Sequence, residues 1–92
     1  MTWNVHFSRQ AQKQTARLPL KIQGILQALV IDLEENGPVR GNWANYGKLT
    51  TRRHHCHLKN GKPCYVAVWE VVDKEIKLIG VVYAGTHEGA PY

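Results

Sequence analysis

The residues from Cys64 to Val72 constrain this chain most, because they are almost continuously apolar and only Glu70 interrupts them. A strand of that composition is covered on both faces and lies inside a sheet, so it needs a neighbour on each side. Turn signals supply both neighbours. Asn60-Gly61, just upstream, is the strongest short hairpin signal and favours a type I′ turn. Asp73-Lys74, just downstream, marks a second turn. The second half of the chain therefore reads as a three-stranded meander.

Two-residue turns fix a register. Across the first hairpin, Lys59 faces Lys62, His57 faces Cys64 and His55 faces Val66. Across the second, Glu70 faces Lys77, Trp69 faces Leu78, Tyr65 faces Val82 and Cys64 faces Tyr83. The opposite charges at 70 and 77 suit such a pairing. Alternation then sorts the side chains. Cys56, Leu58, Tyr65, Ala67, Trp69, Val71, Ile76, Leu78 and Val82 form an apolar face that should pack on a helix. Arg53, His55, His57, Cys64, Val66, Val68, Ile79, Val81 and Tyr83 form the other face, which is basic at one end. The chain runs from Tyr83 directly into Gly85-Thr86-His87, so His87 should emerge near His57, with Tyr92 able to reach back to the same place.

The first half supplies the cover. Trp3, Val5 and Phe7 alternate with Asn4 and His6, which is the pattern of a half-buried strand, with His6 on its polar side. Ser8 suits the N-cap of a short helix over roughly Arg9 to Arg17. Pro19 fits the first turn of a second helix, whose apolar stripe is Ile22, Ile25, Leu26, Leu29, Val30 and Leu33. Gly24 weakens this helix and is expected to mark close packing. Asn36-Gly37-Pro38 stops it. Residues Val39 to Gly47 form a loop in which Trp43 and Tyr46 either stack on bases or anchor the loop to the core, and Tyr46 to Leu49 form a brief edge strand. The expected fold is α+β: two N-terminal helices packed on a twisted, mainly antiparallel sheet, in one compact domain over residues 1–92.

No apolar run reaches the ~20 residues of a membrane span, and the N-terminus reads as a strand and not a signal peptide. The expectation is a cytoplasmic protein whose two cysteines stay reduced. The net charge is +5, and it is unevenly spread. No acidic residue lies between Asn36 and Trp69, whereas Arg40, Lys48, Arg52, Arg53, Lys59 and Lys62 do. This suggests a polyanionic partner such as nucleic acid, with an ordinary solubilising surface as the plainer alternative.

Three of the five histidines lie in Arg52-Arg53-His54-His55-Cys56-His57-Leu58. His54 and Cys56 share a face with Leu58 and look structural, which leaves Arg53, His55 and His57 with His87 and Tyr92. Metal-free RNA cleavage needs a base at the 2′-hydroxyl, an acid at the leaving 5′-oxygen and cations around the phosphorane. Histidine, with an unperturbed pKa of ~6.5, suits the first two roles. Arginine and lysine suit the third. Two rivals stand beside this reading. His55, His57, Cys64 and His87 form a conceivable zinc set, although no paired Cys or His spacing of the finger type occurs. Alternatively, the histidines merely line a sheet edge.

With these residues in place, the sequence resembles the RelE/ParE superfamily of toxins from toxin–antitoxin pairs along its whole length. Cys56-His57-Leu58, the strand ending Val68-Trp69-Glu70, and Gly85-Thr86-His87-Glu88 are similar to segments of the RelE- and YafQ-type mRNA interferases. The resemblance implies a toxin that cuts mRNA on the ribosome, with no metal or other cofactor, and that is held in check by a cognate antitoxin. It implies that His57 and His87 are the acid/base pair, that Tyr92 stacks on or protonates the substrate, and that Arg53 stabilises phosphate charge. It leaves His55 as a further catalytic candidate, and Lys48, Arg52 and Lys62 as weaker RNA contacts. The chain departs from the pattern in two places: Val66 or its neighbours stand where many relatives carry arginine, and His87 stands where RelE-like members often do. The alternatives are a ParE-like toxin that inhibits gyrase and cuts nothing, a branch that generally lacks these histidines, or a non-catalytic nucleic-acid-binding module.

Overall fold

The computed structural model describes residues 2–92. Strand β1 (Asn4–Phe7) leads into helix α1 (Arg9–Ala16), helix α2 (Leu20–Asn36), and strands β2 (Gly47–Lys48), β3 (Arg53–Lys59), β4 (Tyr65–Asp73) and β5 (Leu78–Thr86). The five strands form one sheet in the order β1-β5-β4-β3-β2, antiparallel except for the parallel β1–β5 pair.

Local contacts start α1 and stop α2. The Ser8 hydroxyl accepts from the Ala11 N–H at 3.1 Å, which satisfies one of the free donors of α1. Ile22, Leu26, Leu29 and Leu33 of α2 are buried at helical spacing, and Ile25 packs at the margin. Gly24 is exposed, and an added Cβ would meet nothing within 4 Å, so the close packing expected there is absent. Helix α2 stops at Gly37, which has φ 92° and donates to the Leu33 carbonyl at 2.9 Å. A Cβ at Gly37 would also lie 3.0 Å from the Trp3 indole nitrogen, so glycine is required for both conformation and space.

The loop between α2 and β2 is fastened at Asp32. Its carboxylate accepts from Asn36 Nδ2 (2.7 Å), an Arg40 amino group (3.0 Å), Asn42 Nδ2 (3.1 Å) and Trp43 Nε1 (2.9 Å). Burial alone would raise its pKa, but these donors outweigh burial and hold the carboxyl well below the usual range. Trp43 and Tyr46 pack against the core, which settles them as anchors of the loop.

The sheet corrects the register inferred from tight turns. In the first hairpin His57 pairs with Val66 and His55 with Val68, a slip of two residues with a bulge between His57 and Lys59. Pro63 has no N–H to offer a ladder, and pairing resumes only at Tyr65. In the second hairpin the turn takes four residues. The Asp73 carboxylate accepts the N–H groups of Glu75 and Ile76, and Lys77 adopts φ 53°. Glu70 therefore faces Gly80, not Lys77, and forms its ion pair with Arg53 across β3–β4 at 3.1 Å. Irregularities between Val71 and Asp73 and between Val68 and Trp69 change the parity of the stretch between them. As a result Ile79 and Val81 join Cys56, Leu58, Ala67, Trp69 and Ala84 in facing the helices, whereas Ile76 is exposed. Placing Ile79 and Val81 on the histidine face was incorrect for this reason.

Candidate functional site

An even slip leaves each residue on its original face, so the histidine cluster survives these corrections. His54 and Cys56 point to the core. His54 is 2% exposed and packs in a triangle of rings with Tyr46 and Trp69, with its Nδ1 hydrogen-bonded to the Tyr46 hydroxyl at 2.7 Å. Burial, assisted by the Lys48 charge, pushes its pKa down. Burial pushes the Cys56 thiol up to about 12, so it is inert. His55 and His57 point to the opposite face, in register with the fully buried Val68 and Val66.

Strand β5 delivers the remaining groups. Tyr83 lies opposite Val68 and donates its phenol proton to the Thr86 carbonyl at 2.7 Å. A Cβ at Gly85 would fall 2.8 Å from that hydroxyl, so the glycine leaves room for the ring. The His87 N–H is bound to the Cys64 carbonyl (2.8 Å), and His87–Gly89 form a single 3₁₀ turn that reverses the chain. The His57 and His87 rings meet edge to face with centroids 5.5 Å apart. Tyr92 completes the cluster, 5.7 Å from the His87 ring and 4.6 Å from the His55 ring.

His57 and His87 open onto a cleft of about 790 Å³ also lined by Gly61, Lys62, Pro63, Cys64 and Glu88. Cys64 is no longer opposite His57 in register, yet its sulfur still lies 3.4 Å from His57 Nδ1. His55 sits deeper. Its Nδ1 is buried without a hydrogen-bond partner, and burial lowers its pKa, with the charges of His57 and His87 acting in the same direction. The Tyr92 pKa is raised, chiefly by burial.

The cations divide. Lys62 lines the cleft. Arg53 shares the face of His55 but stands four residues from His57, roughly 13 Å along a strand, and lines a neighbouring hollow with Tyr83 and Pro91. Its Nε is engaged by Glu70. Arg52 lies beyond the far end of β3, beside Val71 and Lys74. Lys48 pairs with His54, which puts it on the helix-facing side rather than with His55. The basic span is therefore partly neutralised, since Asp32 takes Arg40 and Glu70 takes Arg53.

Sequence reasoning missed Asn60, whose Oδ1 lies 2.5 Å from His57 Nδ1. It also missed Glu88, which lines the cleft beside His87. Among the described residues, no three His, Cys, Asp or Glu side chains are grouped to hold a metal ion, and no helix is long and apolar enough to cross a membrane.

No protein-family model matches this sequence, and no curated protein matches it. Solved structures do match in fold. An arginine-substituted variant of the E. coli toxin RelE in the free state superposes with TM-score 0.75 at 19% identity, covering 98% of this chain and 88% of that one. The archaeal RelE–RelB complex from Pyrococcus horikoshii gives 0.70 at 18% identity, covering 98% of this chain and all of that one. A toxin–antitoxin complex from Mycobacterium tuberculosis gives 0.69 at 16% identity, covering 95% of this chain and all of that one. The fold of this chain is that of the RelE toxins.

Proposed function

We propose that this protein is the toxin of a type II toxin–antitoxin pair and acts as a metal-independent, ribosome-dependent mRNA endoribonuclease. One observation carries the reading: two histidines thirty positions apart in sequence, His57 and His87, meet across one open cleft that also holds a lysine. That is the set needed for attack by a 2′-hydroxyl on its adjacent phosphate. One imidazole removes the 2′-hydroxyl proton as the 2′-oxygen bonds to phosphorus. The other protonates the departing 5′-oxygen as its bond to phosphorus breaks. The products are a 2′,3′-cyclic phosphate and a 5′-hydroxyl end.

Lys62 is the cation suited to the reacting phosphate, because it lines the same cleft. The two amino groups of Arg53 are free of Glu70, which suits them to a neighbouring phosphate of a bound strand. Tyr92, between His55 and His87, offers an aromatic face for a base. The partners are mRNA on the ribosome and a cognate antitoxin, the latter by analogy with the complexes of the same fold.

The test is expression of the wild type and His87→Ala in growing cells with transcript ends mapped. The wild type is expected to stop growth and create new mRNA 5′ ends. The variant should lose roughly 10²–10⁴-fold in cleavage, the usual contribution of a general acid or base. Toxicity without new 5′ ends would defeat the nuclease reading, and gyrase inhibition would install the rival.

A further inference from the structure

We infer that Asn60 is a positioning residue that fixes the tautomer of His57 and thereby makes His57 the general base of the pair. The inference rests on the nuclease reading above and deepens it by dividing the two roles. Asn60 Oδ1 lies 2.5 Å from His57 Nδ1. A carbonyl oxygen only accepts, so this contact requires the proton on Nδ1. The Cys64 sulfur is a more distant neighbour, 3.4 Å from the same nitrogen, and its thiol can either accept or donate there. In a neutral imidazole protonated at Nδ1, the lone pair lies on Nε2. Among the described residues, the one buried side-chain nitrogen or oxygen without a partner is His55 Nδ1. His57 Nε2, which also has no protein partner, is therefore open to the cleft that the ring lines.

The loop is built to hold Asn60 there. Lys59 Nζ reaches the carbonyls of Asn60 (3.3 Å) and Pro63 (3.5 Å), tying together the two sides of the bend. The bulge between His57 and Lys59 interrupts the ladder at the same point. His87 has no comparable orienting partner among the described residues, which suits it to the role of acid, delivering its proton after substrate has bound.

Nitrogen-15 spectra of the imidazoles in the whole protein read the tautomer without reference to activity. The wild type is expected to show His57 protonated at Nδ1. Asn60→Ala should revert to the Nε2–H form that free histidine prefers. Asn60→Asp, which also presents an accepting oxygen, should keep the Nδ1–H form. Cleavage of a defined mRNA in a cell-free translation reaction should follow, falling roughly tenfold or more in Asn60→Ala and recovering in Asn60→Asp; loss of a base altogether costs ~10²–10⁴-fold. Asn60 is exposed, so neither substitution removes core contacts. A wild-type spectrum showing Nε2–H, as an amide turned to donate its NH₂ would give, overturns the inference. So does wild-type cleavage by Asn60→Ala once its tautomer has reverted. If the wild type cuts nothing, the nuclease reading falls and the base role with it, while the spectra still decide whether Asn60 fixes the ring.

Discussion

His54 and His55 are adjacent in sequence but face opposite sides of the sheet, and they do different work. His54 packs against both Tyr46 and Trp69 inside the core, and burial lowers its pKa. The unfolded chain takes up a proton at the ordinary ~6.5, and the folded chain only at lower pH. Its contribution to stability is therefore intact above ~6.5 and is lost as pH falls through the folded value. His55, also lowered, acts with the same sign. Replacing His54 with Phe keeps a ring in the stack and removes one titrating group, at a cost of about 1 kcal/mol at pH 7 for the lost bond to Tyr46. The shift in urea midpoint between pH 7 and pH 5 is expected to shrink in this variant, and an undiminished shift would count against the assignment. Strand alternation alone was enough to read His54 and Cys56 as structural. The role of Asn60 was not legible, because its turn propensity explained its presence and masked what its side chain touches.

At the scale of elements, the long loop after α2 depends on one carboxylate. Asp32 gathers donors from Asn36, Arg40, Asn42 and Trp43, and the loop leads directly into β2 beside the histidine strand. Asp32→Ala should cost roughly 1.5–3 kcal/mol, the range for hydrogen bonds to a charged group, measured by urea denaturation; a loss below 0.5 kcal/mol would mean that the loop is held elsewhere. The helices and strands were legible from period and caps, since Ser8, the stripe from Ile22 to Leu33 and Gly37 each act locally. Turn lengths were not. The Asn60-Gly61 signal assumes a two-residue loop, and Pro63 delays the pairing. The Asp73 side chain similarly opens the second turn to four residues. The histidine cluster was still found because the slip in the first hairpin is even, and because the parity change in the second falls on the turn side of Val68.

For the molecule as a whole, charge is the relevant quantity. With Arg40 and Arg53 paired to acids, the +5 net charge is carried in part by lysines such as Lys62 at the cleft. Binding to a single-stranded RNA oligomer is expected to weaken with salt. Lys62→Ala should flatten the slope of log affinity against log salt by about 0.7, the value for one released counterion on a single strand. An unchanged slope would mean that Lys62 meets no phosphate. The strand order has a consequence for synthesis. β5 is inserted between β1, at the start of the chain, and β4, so β1 has no sheet partner until residues 78–86 have been made. Such high contact order makes folding slow compared with local hairpin closure. It also means that a nascent chain still lacking β5 carries His57 but has neither the strand that delivers His87 nor a closed sheet to hold the two together. The cleft between His57 and His87 is thus completed only after β5 has been made.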